Sequence, residues 1–339
     1  MNITFHLAEP APVGSSGSSR TTSGVRRSRA GKAAMLSAAT CLLLAACGSS
    51  DGSQAAATTS TPAASTTTPS ATTGAATGVV DDAARALLPE RIRTAGVLTD
   101  GVNLPNPPME FIEDGKTDYT GLDVELAAAI AARLGLKVEY SNVAFDQLLP
   151  SLTTGRVDIV LSGMSDTAER QAIADWVDYF NSGDRFYTFT ANGTSYPDYA
   201  SLCGQTVVVA TGTSFVEDVP ALSETACAGK DPMKVLAIGV QGNEGLEIQI
   251  QTGRAVAAVT GAETFAYQQI TQPDKFVAVG DLFAPAPYGI AVTKDNSGLR
   301  DAVAAALKDL IADGTYGTIL AKWNLTDSAV KAVTVNLKP

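Results

Sequence analysis

The chain has 339 residues, 45% of them hydrophobic, with 24 basic and 35 acidic groups and a formal charge of −11. That length suits about two domains, and the acidic surplus opposes phosphate backbones, so nucleic acid is excluded as a partner. The one histidine, His6, lies in an N-terminal segment expected to be removed, which excludes Ser–His and Cys–His hydrolysis and most catalytic zinc sites.

Arg26, Arg27, Arg29 and Lys32 precede an apolar stretch from Ala33 to Ala46. At about 14 residues it is too short to cross a bilayer and reads as the core of a signal peptide. Leu44-Ala45-Ala46-Cys47 resembles the bacterial lipobox, which implies that Cys47 carries lipid and becomes the new N-terminus. The expected leader is residues 1–47, with normal proportions only from Val25, so translation is expected to start there. Its loss leaves 19 basic against 34 acidic groups. Residues 48–80 form the expected tether: from Gly48 to Gly78 there are nine Thr, six Ser and eight Ala and no bulky apolar side chain. Such a segment cannot offset its conformational entropy by burial. This places the folded body outside the cytoplasm, lipid-anchored to the outer face of the cell membrane.

Beyond the tether, Val97-Leu98-Thr99 begins an apolar run, and Gly121 introduces a helix with Leu122, Leu126, Ile130 and Leu134 along one stripe. Gly135 stops it, and Leu136 to Tyr140 alternates like a strand. A second helix is expected from Phe145 to Thr153, ended by Gly155, then a strand over Val157–Leu161. Helix and strand alternating through short connections predict a parallel α/β sheet. The series restarts with strands at Thr206–Val209, Lys234–Ala237 and Ala255–Val259, and closes with a strand at Gly289–Val292 and a helix over Leu299–Ala312. Cys203 and Cys227 are the pair left after the leader; outside the cytoplasm an even pair points to a disulfide, two buried thiols being the alternative.

Gly121-Leu122-Asp123-Val124-Glu125-Leu126, Phe145-Asp146-Gln147-Leu148, Gly155-Arg156-Val157-Asp158 and Ser162-Gly163-Met164-Ser165-Asp166-Thr167-Ala168-Glu169-Arg170 stand in the order and spacing of a known family. With Gly314-Thr315-Tyr316 and Lys322-Trp323, they make the region from Leu88 to Leu325 resemble the bacterial extracellular solute-binding proteins of family 3, receptors of polar amino acid ABC importers. The resemblance implies a two-lobe α/β clamshell of the type II periplasmic-binding-protein kind, each lobe a mostly parallel sheet flanked by helices. Residues 81–187 would form the first part of lobe 1, 188–286 lobe 2, and 287–339 the return to lobe 1. The hinge crossings are expected near Tyr187–Thr190 and Ala286–Gly289. It further implies a small amino-acid-like ligand, ABC permease subunits as partners, a monomer, and no cofactor or metal.

For the site, the resemblance implies that Arg170 holds the ligand carboxylate, where a guanidinium fork and helix N–H groups suit two oxygens; Asp166 and Glu169 are spaced like a capping box. Ser162, Gly163 and Ser165 would contact ligand at a strand end, with Thr213 and Ser214 in the matching turn of lobe 2. Phe145 is read as packing on the ligand or, equally, as a staple for its helix. Glu110 is read as a ligand contact or, equally, as an exposed loop carboxylate. Two departures stand out: Asn106 where the family often has an aromatic residue, and Gly261 where it commonly has the aspartate that pairs with the ligand ammonium. Glu263, two residues on, is the substitute, against the alternative that it only favours its helix N-terminus. Two other classes share the fold: enzymes of the cyclohexadienyl dehydratase kind, and solute-sensing receptor modules, which need a membrane-spanning helix and an output domain.

Overall fold

The structure, a computed structural model, describes residues 79–240 and 242–337. The leader with its expected start at Val25, the lipobox Cys47 and the tether up to residue 78 lie outside the described residues. Helices α1 (Asp82–Leu87) and α2 (Glu90–Ala95) lead into β1 (Val97–Val102), then a ribbon of β2 (Phe111–Ile112) and β3 (Tyr119–Thr120). Next come α3 (Leu122–Arg133), β4 (Lys137–Asn142), α4 (Leu148–Thr153), β5 (Ile159–Val160) and the single turn α5 (Ala168–Gln171). The long β6 (Ala174–Phe189) carries the chain to β7 (Thr206–Ala210), α6 (Phe215–Ala226), β8 (Lys234–Ile238), α7 (Glu244–Gln251), β9 (Ala257–Gly261) and α8 (Ala262–Thr271). The similarly long β10 (Phe276–Thr293) returns it to α9 (Ser297–Ala312) and α10 (Thr315–Lys322).

Eight strands form one sheet in the order β4-β1-β5-β10-β6-β9-β7-β8. β4, β1 and β5 are mutually parallel, as are β9, β7 and β8. Between these triplets run β10 and β6, antiparallel to each other and to their outer neighbours. The two long strands are therefore the crossovers, and each triplet with its helices is a lobe. β6 already pairs with β9 at Asp184, so it meets the second-lobe sheet before the expected boundary at 187/188. The β10–β6 register shifts three times between Val279 and Gly289, where Pro285 and Pro287 remove ladder donors.

Both lobes bury apolar side chains on both sheet faces, which is why inner strands such as β7 and β9 read as unbroken apolar runs, whereas the edge strand β4 alternates. In the second lobe Val207 and Val209 pack with Val219 of α6 on one face, and Val208 packs with Leu246 and Ile250 of α7 on the other. In the first, Leu126 and Ile130 of α3 meet Val303 and Leu307 of α9, while Trp176 meets Leu148 and Leu152 of α4 on the opposite face. The strand expected at Val157–Leu161 is two residues long and ends where the Asp100 carboxylate accepts the Leu161 N–H at 2.9 Å in place of a ladder carbonyl. The helix expected from Phe145 opens instead as a 3-10 turn over Phe145–Gln147. The strand expected at Gly289–Val292 is the end of the 18-residue β10, whose inner prolines hide its length in the sequence pattern.

Cys203 and Cys227 form a disulfide that ties the start of β7 to the end of α6. It closes a loop with a sequence separation of 24, worth about 3–4 kcal/mol in the chain-entropy account. The double variant Cys203→Ser/Cys227→Ser is expected to lose about 3 kcal/mol of second-lobe stability in denaturant titration; a loss under about 1 kcal/mol would contradict this.

Candidate functional site

A cleft partly open to solvent lies where the carboxyl ends of the parallel strands of both lobes face each other. Lobe 1 contributes Asn103, Asn106, Phe145, Gly163, Ser165 and Arg170, and lobe 2 contributes Thr213, Ser214, Asn243, Thr260, Glu263 and Thr264, with Tyr288 of β10 between them. The lobes are in contact across it. The Arg170 guanidinium donates to the Ser165 carbonyl at 2.8 Å within its own lobe and to the Gly212 carbonyl at 2.9 Å in the other. Thr264 and Asn106 are joined at 3.4 Å. Gly212 has φ +84°, and a Cβ there would lie 2.8 Å from the Asp146 Cα, so a glycine lets the lobes approach this closely.

Arg170 is buried and is held at its base by the Thr167 hydroxyl, which accepts the Arg170 N–H at 3.3 Å. Thr167, not Asp166, is thus the cap of α5, and the expected Asp166–Glu169 capping box is not formed. Asp166 is instead buried against Asp178, and desolvation first, then that neighbour, pushes it up to about 7. Burial pulls the Arg170 guanidinium below its usual range. Two of its five N–H donors are engaged by carbonyl oxygens, so a forked face is left for a carboxylate. The Phe145 ring lies 6.0 Å from the guanidinium carbon, bordering the same space.

Glu263 lies opposite. Although it is in the first turn of α8, its carboxylate is buried and points back into the cleft. Tyr288 donates its hydroxyl to Oε1 at 2.9 Å, and Ser182 donates its hydroxyl to Oε2. Burial raises its pKa, and the two hydroxyls oppose that rise. A Cβ added at Gly261 would run into Glu263 Oε1 and lie 2.6 Å from the Tyr288 hydroxyl oxygen. The Glu263 carboxylate therefore occupies the volume that a side chain at 261 would need.

The model of the bacterial extracellular solute-binding proteins, family 3, matches residues 98–326. The chain belongs to that family. Among its relatives, the arginine-binding protein ArgT of Corynebacterium glutamicum is 31% identical over 257 residues, covering 75% of this chain and 83% of the relative. The histidine-binding periplasmic protein of Salmonella typhimurium is 28% identical, covering 71% of this chain and 90% of the relative. An ancestral arginine-binding protein solved with arginine matches with a TM-score of 0.60 at 32% identity, covering 67% of this chain and 98% of the other. The arginine-binding protein of T. maritima, as its P235GK mutant, also reaches 0.60 at 29% identity, covering 69% and 98%.

In this family 3 protein the cleft gathers Arg170, Gly163, Ser165, Phe145, Thr213, Ser214 and Glu263, all expected from sequence. Ser162 and Glu110 correct that expectation, since they sit behind the wall and face each other. The Ser162 hydroxyl accepts the Asn103 N–H at 3.1 Å and donates to Glu110 Oε1 at 2.6 Å, both residues are buried, and neither lines the cleft. Beside them Asp123 accepts the Gly163 N–H at 2.7 Å and the Tyr179 hydroxyl at 2.8 Å, which fixes the strand-end loop that carries the site. Desolvation raises both acids, Glu110 well above the carboxylate range and Asp123 to about 7. Tyr288, Asn243, Thr260 and Thr264 went unnoticed in the sequence. No short motif marks them, because Asn243 meets Thr260 from 17 positions away and Tyr288 and Thr264 reach their cleft partners from a crossover strand and across the lobes.

Asp184, opposite Gly261 in the β6–β9 register, is buried, and desolvation followed by Asp218 of α6 pushes it up to about 9; Glu263 of α8 raises it and Arg170 of α5 lowers it. A raised carboxylate stabilises the native state below its unfolded pKa and loses that contribution as pH climbs through the folded value. Ligand-free protein is therefore expected to lose thermal stability between pH 5 and 9. Asp184→Asn should flatten the slope, raising Tm at pH 8 by at least about 3 °C relative to wild type. Parallel Tm–pH curves for the two proteins would refute the assignment.

Proposed function

We propose that this solute-binding protein captures an α-amino acid between its lobes and delivers it to the permease subunits of an ABC importer. One observation carries the reading: a buried guanidinium and a buried carboxylate, Arg170 and Glu263, line the same cleft, the charge pair that the two ends of a zwitterion require. Arg170 takes the ligand carboxylate, with Ser165, Thr213 and Ser214 beside it, and Glu263 takes the ammonium. A ligand touching both lobes binds the closed form better and shifts the population toward it. The relatives named for arginine and histidine binding support amino acids as the ligand class. Thermal-shift screening of the standard L-amino acids, followed by calorimetry, tests the reading; no shift with any of them overturns it. Recovery of the ligand unchanged separates binding from catalysis of the dehydratase kind.

The protein acts as a monomer and is held at the outer membrane face through lipidated Cys47. The basic run, apolar stretch and lipobox support that anchoring. Cys47→Ala is expected to release the protein to the medium, seen by fractionation, with ligand affinity unchanged within twofold. Retention of the variant at the membrane would refute it.

A further inference from the structure

We infer that the cleft selects amino acids with an uncharged, hydrogen-bonding side chain of the amide kind over cationic ones. The inference rests on the proposed function and narrows its ligand. Among the described lining residues only Arg170 and Glu263 carry charge. Once they pair with the carboxylate and the ammonium common to every α-amino acid, the lining holds no carboxylate for a guanidinium or a second ammonium. The other polar lining groups are amides and hydroxyls, chiefly Asn103, Asn106, Asn243, Thr260 and Thr264. Their bonds to one another are long: Asn243 donates to Thr260 at 3.3 Å, and Thr264 donates to Asn106 at 3.4 Å. Such contacts exchange readily for shorter ones to a ligand amide, which offers both donors and an acceptor.

Three buried acids beside the cleft do not restore the missing charge. Glu110 and Asp123 lie outside the lining, behind Asn106 and Gly163: Glu110 Oε1 accepts from Ser162 at 2.6 Å and from the Asn106 amide at 3.4 Å while its Oε2 is buried without a partner, and Asp123 accepts from Tyr179 and the Gly163 N–H. Asp184 is likewise buried outside the lining, and all three are pushed toward the neutral form by burial. A cationic side chain would lose its water without gaining a charged partner, which is far more costly than burying an amide that finds partners. A site with neutral hydrogen-bonding groups also discriminates against a purely apolar side chain, which leaves those groups unpaired.

Citrulline and arginine are nearly isosteric and differ in charge, so calorimetry with purified, ligand-free protein compares them directly, with glutamine, lysine and leucine alongside. Citrulline is expected to bind at least tenfold tighter than arginine, and glutamine at least tenfold tighter than lysine or leucine. Asn243→Asp puts a carboxylate in the wall at the start of α7, where the helix tolerates it, and Thr260 can donate in place of accepting. It is expected to shift the citrulline-to-arginine ratio at least tenfold toward arginine. Arginine binding as tightly as citrulline to the unaltered protein, or leucine as tightly as glutamine, overturns this inference and leaves the proposed function standing. An unchanged ratio in Asn243→Asp also overturns it, by removing that wall from the side-chain subsite. Failure of every amino acid to bind overturns the proposed function itself.

Discussion

Arg170→Ala is expected to weaken ligand binding at least thirtyfold, about 2 kcal/mol or more. The side chain is 8% exposed, so a carboxylate bound there has little water to fall back on. Truncation strands that charge in a desolvated cleft, and the cost is that of an unpaired buried ion rather than of one hydrogen bond. The same guanidinium bonds the Gly212 carbonyl, so part of the loss comes from weaker lobe closure. Arg170→Lys separates the two contributions. It retains positive charge but not the planar fork that reaches two ligand oxygens and a carbonyl at once. Lysine is expected to recover less than half of the lost free energy. Calorimetry with the best ligand from the amino acid screen reads both variants, and a loss under threefold for alanine removes Arg170 from the site.

The second large effect concerns one volume shared by two positions. Glu263→Gln keeps the shape of the side chain and its hydroxyl partners but removes the charge, and is expected to weaken an α-amino acid at least tenfold, about 1.4 kcal/mol. Gly261→Ala is expected to do comparable damage without touching any ligand group, because the new Cβ collides with the Glu263 carboxylate and crowds the Tyr288 hydroxyl. The backbone at 261 has φ −65°, so the cost is one of space and not of chain conformation. The two effects must therefore be coupled. In a Glu263→Ala background the carboxylate is gone, and Gly261→Ala should cost less than threefold. A double-mutant cycle measured by calorimetry with one ligand gives the coupling, and additive losses would show that Glu263 does not sit where position 261 denies a side chain. Glu263→Gln with unchanged affinity would return Glu263 to a purely helix-stabilising role.

Local pattern alone determined the alternating α/β series, the α3 stripe, the α9 helix and the cysteine pair, because periodicity, glycine stops and cysteine parity are properties of neighbouring residues, while the two-lobe arrangement came from the family resemblance. The order of motifs placed Arg170 and the Ser165 and Thr213 turns at strand ends, and the missing aspartate at Gly261 directed attention to Glu263. Tertiary structure alone decided what those side chains face. Ser162 and Glu110 carry the right chemistry for a ligand site, yet the β1–β5 pairing and the loop after β1 turn them on each other. Thr167 displaced Asp166 as the cap of α5 because Asp166 is drawn beneath the loop toward Asp178. Tyr288 reaches Glu263 only because β10, broken in the sequence pattern by Pro285 and Pro287, passes between the lobes as one long strand. The charge balance of the cleft, one cation against one anion, is likewise set by the approach of two lobes whose site residues lie up to 185 positions apart, from Asn103 to Tyr288. No window of sequence spans that distance, and only the packing of the two lobes brings these residues into one cleft.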